Sequence, residues 1–420
     1  MKQMIRQAVV FGMVASLLLS AGTVRSINAQ TAQAKIPTRP IGAIVSTSKD
    51  SLGPVVVVRA LTNGRVMVND IMRRRVLLFE PSLSKFSVVI DSGSTTGSAM
   101  ASAVPSAQLI RYFGDSTLYV DVATQALLVL DDAGKVARVM ALPRPNDAVY
   151  LSAAAFGSAH IDPAGHLIYR GMRPPKITLP EPGSKILMSL PQQSDSGPIL
   201  RGDFDTRKVD TITTLKVLQP GSMTLTQEAQ NISLKMVVNP MDTGDEWTML
   251  PDGTIAILRA HDYHIDWVSA DGKITSSPKM AFDWKRMTDE QKQFKLDSMR
   301  PLLEKALEAA PAQMIPTAEG PRRLKMQFEF VSLDKLPDYE PPVAPGALKV
   351  DPKGNLWIVP RTSSGTTGGL LYDVVNRKGE VAERVQFPKG YALAGFGALD
   401  EVYLLRVDGK VGFLERAKLR

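Results

Sequence analysis

A unit of four short β-strands, punctuated by tight glycine turns, recurs along this chain and constrains its fold more than any other feature. Each copy reads as an apolar strand, a turn with Gly, Asp or Asn, an alternating strand and a polar break. A third strand, a second glycine turn and a fourth strand complete it. The first clear copy runs through Val55–Val58, the turn Asn63-Gly64, Val66–Val68, the break Arg73–Arg75, Val76–Phe79 and Ser87–Ile90. The second runs from Gln108–Tyr112 through Gly114-Asp115, Leu118–Val120, Leu127–Leu130 and Ala133-Gly134 to Val136–Leu142. Later copies place their first turns at Asp162–Gly165, Asp252-Gly253, Asp351–Gly354 and Asp400.

An isolated four-stranded meander cannot bury both of its faces. Stacking copies radially does, and it leaves only short edges. The expected fold is therefore all-β: a six-bladed β-propeller, with seven blades as the alternative. Two intervals between first turns exceed the roughly 40 to 50 residues of an ordinary blade. The one from Gly165 to Gly253 holds Ile199–Phe204, Val209–Thr214, Ser222–Leu225 and Ile232–Val238. The last two are either an overlong outer strand or a concealed seventh blade. The one from Gly253 to Gly354 holds a helical insertion, residues 286–312. Thr288 and Gln291 form a capping box, and Met299, Leu302, Leu303, Ala306, Leu307 and Ala310 keep one apolar stripe. Pro301 suits a first helical turn, so two consecutive helices are expected there. The last copy lacks a strand, whereas Pro40–Ser46 belongs to no complete copy. The N-terminal strand should complete the C-terminal blade and close the ring, which removes an exposed edge.

The stretch Asp351-Pro352-Lys353-Gly354-Asn355-Leu356-Trp357-Ile358 resembles the repeat of NHL-like and virginiamycin B lyase-like propellers. Leu336–Pro342, just before it, looks like the lead-in of secreted bacterial six-bladed propeller proteins. The likeness covers most of the mature chain as repeat rhythm. It implies a fold, not a function, because propellers host scaffolds, sensors, lyases and lactonases alike. Lyases of this kind look to a histidine and a metal on the channel face, but no family catalytic residue matches His160 or His166. Propeller lactonases hold a central divalent ion with carboxylates and amides. Asn69, Asp70 and Asp121 are such groups, though three oxygens are too few for calcium without carbonyls or water.

The N-terminus reads as a signal peptide: Lys2 and Arg6 precede an uncharged stretch, Ala8 to Gly22, too short to span a bilayer. Cleavage after Ala29 divides the chain into a leader (1–29), a linker (30–37) and one propeller domain (38–420), and implies a periplasmic or secreted protein. The absence of cysteine excludes a lipoprotein anchor, disulfides and thiolate metal sites. The fold must rest on its core. The net charge of +8 is partly the leader's. Without Lys2, Arg6 and Arg25, 47 of the 50 basic residues face 42 acidic ones. The densest basic run, Arg73–Arg75, is short, which argues against nucleic acid as a partner. No membrane span is expected after leader removal, and a monomer is.

The remaining constellations are sparse. His261-Asp262-Tyr263-His264 pairs two imidazoles at a hairpin tip, where odd spacing on a strand sends the rings to opposite faces; no metal or other cofactor is assigned. Ser92–Gly97 and Thr362–Gly369 lack the ending of a phosphate loop. A rim pattern stands out. The second strand of each copy ends in a charge: Asp70, Asp121, Arg170, Arg259, Arg361 and Arg406. Equivalent strand ends share one rim of a propeller, and arginine forks suit carboxylates and phosphates. The chain is expected to be a non-catalytic binding module whose small-molecule or protein partner is anionic. A metal-dependent lyase or lactonase is the alternative.

Overall fold

The computed structural model describes residues 36–91, 108–153, 156–173, 185–190, 194–218, 221–228, 231–309, 313–317, 320–398 and 400–419. The leader and the 92–97 loop lie outside them.

Alternation of buried and solvated side chains, with glycines at φ near +80° in the connecting turns, breaks the chain into short antiparallel strands. Six four-stranded meanders follow, here sheets 1 to 6. Sheet 1 comprises Val56–Ala60, Val66–Asp70, Arg75–Phe79 and Phe86–Asp91. Sheet 2 comprises Ile110–Arg111, Thr117–Asp121, Ala126–Leu130 and Val136–Ala141. Sheet 3 is His160–Ile161, Leu167–Arg170, Ser196–Gly202 and Val209–Lys216. Sheet 4 is Glu246–Met249, Ile255–Arg259, His264–Val268 and Ile274–Ser276. Sheet 5 is Val343–Val350, Leu356–Pro360, Leu371–Val375 and Val381–Gln386. Sheet 6 is Tyr391–Phe396, Glu401–Asp408 and Val411–Lys418, with Ile44–Thr47 added at its edge.

The cores show how these sheets stand. Met67 and Leu78 of sheet 1 share a buried cluster with Leu128 and Leu130 of sheet 2. Leu118 and Leu127 of sheet 2 share the next with Leu167 and Tyr169 of sheet 3. Ile168 and Leu215 join Trp247 and Ile257 of sheet 4. Leu258 and Ile265 join Leu348 and Leu356 of sheet 5. Trp357 and Val385 join Leu404 and Ala417 of sheet 6. Tyr403 and Leu414 join Val66 and Phe79 of sheet 1, where the series began. Every sheet is buried on both faces by its two neighbours in sequence, in cyclic order. That is the packing of a β-propeller.

The chain's start seals this ring. Ile44–Thr47 pairs antiparallel with Val411–Lys418, Ile44 opposite Ala417. Just upstream, Thr38–Pro40 runs parallel to the outer strand of sheet 5, and Arg39 grips Glu383 through two contacts of 2.7 Å. The expected closing strand is thus split between two sheets.

Two expectations need correction. The Gly165–Gly253 interval holds more than an overlong outer strand. Ser196–Gly202 and Val209–Lys216 are the outer strands of sheet 3, and the rest contributes to a separate five-stranded sheet. Its order is Ile186–Leu190, Met223–Glu228, Asn231–Val238, Gly320–Phe330 and Met314–Thr317, with one parallel pair between Asn231–Val238 and Gly320–Phe330. It cannot stand between sheets 3 and 4, because those two share a core directly.

The insertion, moreover, is one helix, Asp289–Ala309, with Pro301 inside it. The Thr288/Gln291 capping box forms in both directions, at 3.0 and 3.3 Å. Leu296 anchors the helix against Met241, Met287 and Leu336. An internal proline removes one backbone donor and its ring crowds the carbonyl four residues earlier, and here packing and the cap outweigh that cost. No helix among the described residues is long and apolar enough to cross a membrane.

Candidate functional site

The first strands of sheets 4 and 5 lie side by side, and in each of these antiparallel sheets the first strand begins at the end where the second strand stops. Glu246 opens the first strand of sheet 4, next to Asp245. Its register partner is Leu258, one residue before Arg259. The first strand of sheet 5 bulges between Val343 and Leu348, and Gly346 at φ +80° turns its N–H onto the Glu246 carboxylate at 2.9 Å. Nothing lies within 4 Å of the Cβ position of Gly346, so the backbone meets open space there.

Two cations flank this carboxylate without touching it. Arg170, at the end of the second strand of sheet 3, lies over the Phe156 ring at 4.8 Å, and its Nε is buried with no acceptor. Lys349 comes from the first strand of sheet 5. Neither side chain makes a hydrogen bond or an ion pair within 4 Å among the described residues. Burial pushes the Arg170 guanidinium down to about 10, against the pull of Glu246. It lowers the Lys349 ammonium in the same way, again opposed by Glu246. Burial pushes the Glu246 carboxyl up to about 7; the Gly346 N–H and both cations oppose the rise, and Asp245 adds to it. Two half-buried positive charges therefore lie near one carboxyl whose pKa is raised to about 7.

Among the rim charges, Arg170 lies in this group. Arg259 sits beside it but is already satisfied: Nη1 meets Asp245 at 2.7 Å and Nε meets Asp266 at 2.7 Å. It braces Asp245, and through it the start of the strand that carries Glu246. Arg361 follows the second strand of sheet 5 and donates from Nε to the Val343 carbonyl at 3.1 Å, at the base of the bulge. Burial lowers its guanidinium while Glu340 opposes the fall. The other three are engaged within their own sheets. Asp70, fully buried, takes the Gly53 N–H at 3.0 Å and Arg75 at 3.2 Å. Asp121 closes its own turn through Ala123 N–H and Thr124 Oγ1, at 3.0 and 2.6 Å. Arg406 lies within its strand, pairs with Glu415 at 2.8 Å and covers Phe413. The rim thus concentrates charge at sheets 3 to 5, not around all six.

Sequence reasoning passed over Glu246, Lys349 and Gly346. A signal was there: a lysine inside the apolar run Ala347–Val350, and an acidic pair, Asp245-Glu246, opening a strand that ends in Trp247-Thr248-Met249.

Three of the four histidines are held by neighbouring groups. His160 is packed on Trp247, its Nε2 accepts the Met249 N–H at 3.3 Å, and burial lowers it to about 4. His166 meets Asp162 at 3.0 Å, His264 meets Asp266 at 3.2 Å, and His261 is exposed. Among the described residues no three His, Asp or Glu side chains converge as a metal ion would need.

No family model and no curated protein matches the chain. Solved structures similar to it include a gluconolactonase from Xanthomonas campestris, at TM-score 0.39 and 11% identity over 90% of this chain and 99% of that one. A virginiamycin B lyase from Staphylococcus aureus is similar at 0.38 and 10%, over 90% and 99%. Regucalcin from Agrobacterium tumefaciens is similar at 0.40 and 10%, over 91% and 97%. Likenesses of this size say nothing of activity, and the propeller fold stands on the sheet order and the ring of shared cores.

Proposed function

We propose that this chain is an exported, monomeric, six-bladed β-propeller that binds a small anionic ligand where sheets 3, 4 and 5 meet. Arg170 and Lys349 are its cationic contacts and Gly346 lies at its wall. The N-terminal leader supports the periplasmic or secreted setting, and the cyclic order of shared cores supports six blades. One observation carries the binding reading: two cations, both lowered by burial, flank Glu246 with no acceptor of their own among the described residues. Both are half-buried, and a partly desolvated charge gains from an opposite one, so an anion there would supply what the fold leaves out.

Glu246 makes the reading testable. While ionised it competes with the ligand's charge; once protonated it does not. A thermal-shift screen of carboxylates and phosphates at fixed ionic strength should find an anion that stabilises the protein. Its affinity should rise as pH falls through about 7. In Glu246→Gln the affinity should be higher and the pH dependence gone, and in Arg170→Gln or Lys349→Met it should fall at least tenfold. A screen without hits, or a hit indifferent to both cation variants, would defeat the proposal.

A second reading, a lyase or lactonase, has its own support in the Glu246 carboxyl, whose pKa of about 7 suits proton transfer near neutral pH. If that chemistry needs a divalent ion, elemental analysis of the purified protein decides. The binding reading expects no stoichiometric metal, and one metal per chain would favour the enzyme.

A further inference from the structure

His160 ties the first strands of two neighbouring sheets together. It lies on the first strand of sheet 3, opposite Ile168, and its imidazole crosses to the first strand of sheet 4. There the Met249 N–H donates to Nε2 at 3.3 Å, and Thr248 Oγ1 stands at 3.5 Å. That N–H is available because the ladder of sheet 4 alternates. The Leu250 N–H is spent on the Thr254 carbonyl at 2.8 Å, so the amide one residue earlier faces away from its own sheet. An Nε2 that accepts carries no proton, so the ring is neutral with its proton on Nδ1.

The same ring belongs to a longer string of contacts. It packs against Trp247, ring centroids 5.6 Å apart and planes at 75°. Trp247 Nε1 donates to the Phe156 carbonyl at 3.0 Å, and the Phe156 ring underlies Arg170 at 4.8 Å. From the other side Gln108, just before the first strand of sheet 2, donates from Nε2 to the Gly157 carbonyl at 2.8 Å and takes the Ala159 N–H at 2.6 Å. Residues 156–160 are thus strapped between sheets 2 and 4.

His160 is only half-buried, so a proton reaches it without prior unfolding. The titratable groups on the surrounding strands and turns are Asp162, Tyr169, Arg170, Asp245, Glu246 and Arg111. Burial, not any of these, lowers the ring to about 4. A charged imidazole has two donors and no acceptor. Its Nε2–H would point at the Met249 N–H, so the hydrogen bond and the charge exclude each other.

We propose that His160 is an acid-sensitive pin on the seam between sheets 3 and 4, whose protonation frees the Met249 N–H and parts the seam locally while the rest of the ring stays closed. The string of contacts ends beneath Arg170, so parting the seam also loosens the support of that cation. This consequence rests on the binding reading above; the pin itself does not.

Amide exchange followed by NMR, expressed as protection against the intrinsic rate at each pH, tests the pin on the purified chain. Met249 reports on the seam. Val68, on a strand of sheet 1 paired on both sides, reports on the ring as a whole. From pH 7 to pH 4.5 the protection of Met249 should fall at least tenfold relative to that of Val68. In His160→Gln, whose side-chain oxygen accepts at every pH, the ratio should stay flat. In His160→Phe, which keeps a ring against Trp247 but has no acceptor, it should be low at both pH values. A wild-type ratio that does not change with pH, or one that falls equally in His160→Gln, would overturn the proposal. The readout needs no ligand, so its failure is distinct from a failure of the anion screen.

Discussion

Asp351 shows how much one side chain can fix. Its carboxylate takes the backbone N–H groups of Lys353 and Asn355, both at 2.9 Å, together with Asn355 Nδ2 at 3.0 Å and Trp357 Nε1 at 3.1 Å. The turn is tied to the buried tryptophan below it, which is the physical content of the Asp-Pro-Lys-Gly-Asn-Leu-Trp string. Asp351→Ala would orphan a buried indole donor and loosen the turn. A loss of about 2–4 kcal/mol in urea denaturation is expected. Two other groups set the pH response in opposite senses. Glu246 titrates near 7 in the fold against about 4.3 in an unfolded chain. Its contribution to stability is whole below the lower value and is lost as pH rises through the upper one. His160 titrates near 4 against about 6.5 unfolded. Its contribution is whole above 6.5 and is lost as pH falls through 4. Because the two partly cancel in the wild type, each is measured against its own variant. From pH 4.5 to 7.5 the wild type should lose on the order of 1–3 kcal/mol relative to Glu246→Gln. From pH 6.5 to 4 it should lose a similar amount relative to His160→Gln. Parallel stability curves for wild type and variant would contradict either assignment. The rim arginines were legible as strand ends, because burial and turn position leave their mark locally. That Arg259 is spent on two aspartates, and Arg170 on none, depends on side chains of other strands and was not.

Element by element, the sequence speaks clearly where the chemistry is local. Gly64, Gly165, Gly253 and Gly354 all sit at positive φ, and the polar side chain one to three residues earlier closes the same turn: Asn63, Asp162, Asp252 and Asp351 each accept a backbone N–H within 3.0 Å. Turn chemistry and period-two alternation therefore marked most strands of sheets 1 to 6. The five-stranded side sheet escaped because its strands come from three separate connections and its central pair is parallel, a pairing that leaves no short-range trace. Along that pair Ile232, Leu234, Met236 and Val238 stand beside Leu324, Met326, Phe328 and Phe330, an apolar face that only pairing assembles. The helix misled for a different reason. A proline was given the weight it has in an isolated helix, whereas here Lys292 meets Asp338 at 3.0 Å and Lys295 meets Glu340 at 2.7 Å, pinning the segment before Pro301. Pro301 is exposed, so Pro301→Ala loses no packing and restores a donor. Its melting temperature should rise, by an amount that corresponds to about 1–3 kcal/mol. No rise would mean that the helix breaks at this point in solution.

At the scale of the whole molecule, a chain without cysteine holds sheets 1 to 6 in a ring without disulfides, through shared cores and polar contacts between neighbours, and each sheet depends on both neighbours. Such a ring fails at its seam. Sheet 6 receives its last strand from the start of the chain, so Ile44–Thr47 is the latch, reinforced by the Ser48 N–H on the Leu414 carbonyl at 2.7 Å. The grouping of Arg170, Glu246 and Lys349 follows from the packing of neighbouring sheets, because the three come from sheets 3, 4 and 5 and meet only when these stand side by side. Their convergence was illegible in the sequence for that reason, even though the closure itself could be inferred from a missing strand at one end and a spare one at the other. The absence of cysteine makes the latch directly testable. Ser46 lies opposite Arg416 across the seam, and paired residues on antiparallel strands bring their Cβ atoms to about 4.5–5.5 Å, close to what a disulfide needs. The double variant Ser46→Cys/Arg416→Cys should oxidise readily to an intramolecular disulfide and melt at a higher temperature than its reduced form. Failure to cross-link within the monomer, or a disulfide that lowers the melting temperature, would contradict the closed ring.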